Sequence, residues 1–84
     1  MKSIHSKEYH QALEALVDAR KKRHIFQADL ANKLGRPQSF VSKFEARERR
    51  LDVVEFVAVC RALGENPLRL LLKAGLITED DLAG

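Results

Sequence analysis

Few side chains in this sequence have the type and spacing that covalent or metal chemistry needs. Cys60 is the only cysteine, which excludes an intrachain disulfide and a cysteine-based zinc site. His5 and His10 lie five residues apart, not at the i, i+4 separation that sets two ligands on one helix face, and His24 stands alone. All three read as surface histidines, so no metal and no other cofactor is expected. There is no nucleophile–base pair, no glycine-rich phosphate loop and no convincing acid–base carboxylate pair, so no catalytic residue is assigned and no enzyme is expected.

What the chain offers instead is concentrated positive charge. Residues 20–50 carry ten basic side chains against three acids, a net charge of +7, whereas the remaining residues carry five against nine, a net −4. A basic middle between acidic ends is the footprint of a polyanion-binding face; the plainer reading is a solvated basic surface. The 84 residues make one domain over 1–84, with a core over about 6–75 and a short tail over 76–84. A domain of this size buries only about 60–65% of its unfolded surface, so a partner subunit is a natural source of extra stability. No apolar run approaches the roughly 20 residues of a membrane span. The N-terminal stretch lacks a signal-peptide pattern, and the absence of disulfides fits a cytoplasmic protein.

The apolar spacing is helical throughout. Tyr9, Leu13, Leu16 and Arg20 fall on one stripe of a first helix over about 6–23, whose last turn, Arg20-Lys21-Lys22-Arg23, suits the negative end of the helix dipole. A second helix is expected over 27–34, ended by Gly35, and a third from about Pro37 to Glu45 or Ala46. Asp52 and Glu55 form a capping box for a fourth helix, with Leu51 and Phe56 as its hydrophobic staple. Val53, Phe56, Cys60 and Leu63 are expected to face inward from it. Asn66-Pro67 opens a fifth helix that stops at Gly75, and residues 77–82 add one capped turn or fray.

The segment QADLANKLGRPQSFVSKFE, residues 27–45, holds two short helices joined by a very tight turn. Leu30, Leu34, Val41 and Phe44 are its inward positions, Ala31 is small where the helices approach, and Gly35 supplies the sharp turn. With the following ERRLDVVEFVAVCRALGENP, this segment resembles the Cro/lambda-repressor-like (XRE) helix-turn-helix family over about residues 12–72. Three positions depart from the family pattern. Phe26 stands where a Ser or Thr cap is usual, Arg47 where glycine is common, which puts a left-handed cap there in doubt, and Leu51 where proline is frequent.

The resemblance implies an all-α, five-helix, lambda-repressor-like domain whose third helix lies in the major groove of double-stranded DNA. Gln38, Ser39 and Lys43 would then face base edges, with Ser42 and Phe40 nearby. Phe40 would meet a thymine methyl or pack within the domain. Gln27, Arg36, Arg47, Arg49 and Arg50 would meet phosphates, one of the last three reaching a minor groove. Arg20, Lys22 and Arg23 would add long-range attraction.

The function implied is that of a sequence-specific transcriptional regulator, a repressor binding a palindromic operator as a homodimer. The alternatives are a protein-interaction module with the same fold, and an antitoxin or controller protein acting with a partner. Surplus apolar residues in the fourth and fifth helices, Val54, Val57, Leu68, Leu70 and Leu72, are the expected dimer surface; otherwise the leucines simply close a small core.

Overall fold

The computed structural model describes residues 6–84. Among these residues six helices follow one another: α1 (Lys7–Lys22), α2 (Gln27–Leu34), α3 (Gln38–Glu45), α4 (Val53–Ala62), α5 (Pro67–Lys73) and α6 (Glu79–Ala83). No strand occurs among the described residues. The sixth helix is the capped turn that the tail offered as an alternative to fraying. It is a single turn opened by Thr78, whose N–H donates to the Asp81 carboxylate at 2.8 Å, and it buries nothing.

Local chemistry explains where the helices start. Ser6 Oγ accepts from the Tyr9 N–H at 3.1 Å and opens α1. Asp52 and Glu55 exchange side-chain-to-backbone bonds of 2.7 and 3.0 Å at the start of α4, the expected capping box. Asn66 caps α5 through two backbone N–H groups at 2.9 and 3.2 Å. Phe26 has no acceptor to offer α2, and only the reverse bond is made, from its own N–H to Asp29 at 3.2 Å.

Helices α1 to α5 all end in the same way. A residue with positive φ follows each (His24, Gly35, Arg47, Gly64 and Gly75). The next N–H then bonds to a carbonyl five residues back: Ile25 to Arg20, Arg36 to Ala31, Glu48 to Lys43, Glu65 to Cys60 and Leu76 to Leu71. Gly35 turns the chain between α2 and α3 at φ 67° without strain. Arg47 makes the same turn at φ 61° with a side chain present, so the left-handed cap survives the loss of glycine. The Glu48 and Arg47 N–H groups, bonded at 2.9 and 3.1 Å to Lys43 and Phe44, hold it there.

The core gathers Leu13, Leu16 and Ala19 of α1, Leu30 and Ala31 of α2, Phe40, Val41 and Phe44 of α3, and Val59, Cys60, Leu63 and Leu70 beyond them. Leu34 and Phe56 pack against it half-buried. Two expectations change here. Val53 is 79% exposed, because the first turn of α4 projects past the edge of the core and its inward face begins at Phe56. Leu70 is 1% exposed: it is the leucine of α5 that closes the core, so it is no part of a dimer surface.

Candidate nucleic-acid interface

The packing of α2 on α3 decides which residues of α3 meet solvent. Val41 and Phe44, fully buried, seat α3 in the core beside Leu30 and Ala31. A helix of eight residues anchored on that stripe must turn its other face outward. Gln38, Ser39 and Lys43 are exposed there, and Ser42 is half-exposed with its hydroxyl donating to the Ser39 carbonyl at 3.3 Å. The four therefore present amide, hydroxyl and ammonium groups along one polar strip.

Phe40 is not on that strip. It is 7% exposed, and its ring meets the Phe44 ring edge to face at 5.5 Å between centroids. The ring belongs to the interior, which removes Phe40 from the candidate base contacts; the fourfold polar set stands without it.

Two polar clusters brace the ends of α3. In the first, Arg20 of α1 donates from Nε and Nη2 to the Glu45 carboxylate at 2.7 and 2.9 Å and from Nη1 to the Ile25 carbonyl at 2.8 Å. Gln27 Nε2 donates to the same carboxylate at 2.8 Å. Both charged side chains are about nine-tenths buried. Arg20 is therefore a structural cation, not a source of long-range attraction, and it links the ends of α1, α2 and α3. Gln27 is fixed beside the end of α3 through the same carboxylate. Arg23 is paired too, with Glu65, while Lys22 is exposed.

In the second cluster, Arg36 and Arg49 converge on Glu55. Arg49 donates from Nη1 and Nη2 to the two carboxylate oxygens at 2.9 and 2.8 Å, and Arg36 donates from Nη2 at 3.3 Å. Their guanidinium carbons lie 4.3 and 4.7 Å from the Phe40 ring centroid, Arg36 nearer. The bond from Arg49, with the Asp52 N–H, holds the Glu55 carboxyl down at a pKa of about 2. The same pair raises the pKa of Arg49.

The remaining arginines differ from one another. Arg47 Nη1 donates to His10 Nδ1 at 2.5 Å, which draws it against α1, and His10 Nε2 lies 3.6 Å from Glu14. Arg50 is exposed. His24 is exposed at a positive φ, and His5 lies outside the described residues. Among the described residues no group of three metal-capable side chains comes together.

A groove of about 360 Å³ runs between α1, α4 and α5 and is almost wholly apolar. Val53, Val57, Leu68 and Leu71 line it. Val54 beside it is 77% exposed and Leu68 is 56% exposed, so two of the expected surface residues are open; Val57 and Leu72 are half-buried.

Sequence reasoning missed both polar clusters. Arg20 gave a signal, since a charged residue on the Tyr9–Leu13–Leu16 stripe needs a partner when buried. Glu55 gave none beyond its capping role, because its arginine partners come from two separate turns.

Comparison with known proteins agrees with this geometry. A family model described as helix-turn-helix matches residues 16–83. The solved structure of an XRE-family like protein from Pseudomonas syringae pv. tomato str. DC3000 is 51% identical, with a TM-score of 0.80 over 86% of this chain and 88% of that one. No curated protein matches. With a buried α2–α3 pair, a tight turn at Gly35 and an outward polar strip on α3, the chain belongs to the XRE-type helix-turn-helix family of DNA-binding transcription regulators.

Proposed function

We propose that the protein is a sequence-specific repressor that binds a palindromic operator as a homodimer, with α3 of each copy in the major groove. The observation that carries this reading is the division of α3: Phe40, Val41 and Phe44 are buried while Gln38, Ser39 and Lys43 stand free on the opposite side. Gln38 suits adenine, Lys43 suits guanine O6 or N7, and Ser39 and Ser42 suit several bases. Gln27, Arg36, Arg47, Arg49 and Arg50 supply phosphate contacts around it; Arg47 must leave His10 to do so.

One such domain reads too few base pairs to single out a genomic site. Two copies related by a two-fold axis would read half-sites about 34–36 Å apart. The apolar groove, lined by Val57 and Leu68, together with Val54 and Leu72 of the same two helices, is the surface we assign to that contact. The reading makes the protein cytoplasmic, and no described helix is long and apolar enough to cross a membrane. The test is selection of duplexes from a random library, followed by gel-shift titration at several salt concentrations. One enriched palindrome with a steep salt slope supports the proposal; equal affinity for all duplexes, or none, overturns it.

A further inference from the structure

We infer that Glu55 is a positioning residue for DNA recognition, holding Arg36 and Arg49 over Phe40 in the arrangement that meets the phosphates beside α3. The inference rests on the reading of α3 as the helix that faces DNA.

A carboxylate on a phosphate-facing surface looks wrong by charge alone, since it repels the ligand. Its geometry suggests another role. Glu55 is anchored twice to the first turn of α4, by its own N–H on Asp52 and by its carboxylate on the Asp52 N–H. Its side chain is 14% exposed, whereas those of Arg36 and Arg49 are 43% and 39% exposed. The acid thus lies beneath the two guanidiniums. Arg36 donates to it through Nη2 alone, which leaves its Nε and Nη1 donors for a ligand.

The two arginines come from opposite ends of α3 in sequence, one from the turn before Pro37 and the other from the loop after Ala46. Without a common anchor each would sample many rotamers, and ordering them on DNA would weaken the complex. Glu55 and the Phe40 ring order them beforehand. The ring therefore contributes to recognition without touching a base. On the selected duplex, where α3 is seated in one register and the phosphates stand at fixed places, two long side chains ordered in advance imply an effect on the order of tenfold in affinity; on random duplex, bound in many registers, that advantage averages away.

The sign of one mutation separates positioning from mere masking of charge. Glu55→Gln removes a negative charge and keeps the capping role, which glutamine also performs. Wild-type and variant protein are titrated with the duplex that wild type enriches from a random library, and with random-sequence duplex, at fixed salt. Positioning predicts that the variant tightens on random duplex but loses about tenfold in its preference for the selected one. Arg49→Lys conserves charge and loses the two-pronged contact, so it should lose preference as well. Circular dichroism confirms that each variant is folded; if Glu55→Gln is not, Arg49→Lys decides alone. Equal tightening on both duplexes by Glu55→Gln, or unchanged preference in Arg49→Lys, overturns the inference while the DNA-binding reading stands. Wild type with no preference for any duplex overturns both.

Discussion

Arg20 and Glu45 meet across 25 residues of chain in a two-pronged ion pair, Nε to Oε2 at 2.7 Å and Nη2 to Oε1 at 2.9 Å. The pair ties the last turn of α1 to the last residue of α3. Gln27 and the Ile25 carbonyl complete its bonding, so the buried charges are fully satisfied. Such a pair adds little over an apolar substitute, but breaking it from one side leaves a lone buried charge. Arg20→Ala should therefore cost about 3–5 kcal/mol of stability, a large share of what a domain this small possesses. Urea denaturation measures it. A loss below about 1 kcal/mol, the range of an exposed pair, would show that the pair is solvated.

The acid limb of stability should depend on Glu55. Its folded pKa, about 2, lies below the ordinary 4.5. A depressed carboxyl contributes stability that is present above the unfolded pKa and is lost as pH falls through the folded one. The urea midpoint of the wild type should accordingly fall between about pH 5 and pH 2. Glu55→Gln should be less stable near neutrality and show a shallower fall in that window. Parallel curves for the two proteins would contradict the pairing with Arg49.

At Arg47 the backbone is left-handed with a side chain attached. That conformation costs about 1–2 kcal/mol for an L-residue, and glycine avoids it. Arg47→Gly should raise stability by about 1 kcal/mol, after some loss to unfolded-chain entropy and to the His10 contact. Thermal melting checks this. A lowered melting temperature would mean that the Arg47–His10 bond outweighs the strain.

The apolar groove gives a prediction about association. Val54→Asp and Leu68→Asp alter exposed positions and should leave the fold intact while producing a monomer in sedimentation equilibrium at micromolar concentration. Leu70→Asp should instead unfold the protein, since Leu70 is in the core. A wild type that stays monomeric even on its selected duplex defeats the dimer; a dimer that survives both exposed substitutions defeats only the assigned surface.

The helices were legible because their signals are local. Asp52 with Glu55, Asn66 with Pro67, and Gly35 each announce a boundary within a few residues. The polar strip of α3 was legible for a related reason, since Val41 and Phe44 at i, i+3 fix the inward face. What sequence could not supply was pairing at a distance. Arg20 and Arg23 look alike in a basic run, yet one is buried on Glu45 and the other sits on Glu65 at the α4–α5 turn. Phe40, Val53 and Leu70 were misplaced because helical spacing gives a direction but not where the core ends. Phe40 sits under two arginines, Val53 beyond the core's edge and Leu70 at its centre.

The central claim is that α3 reads base edges, and Lys43 tests it most directly because its exposed side chain carries no share of the core. Duplexes are selected from one random library by wild type and by Lys43→Ala, and both proteins are titrated with the wild-type duplex at fixed salt. The account predicts that the variant folds normally, binds that duplex about 1–3 kcal/mol more weakly, and loses preference at one position in each half-site. Equal affinity together with an unchanged selected sequence would contradict it.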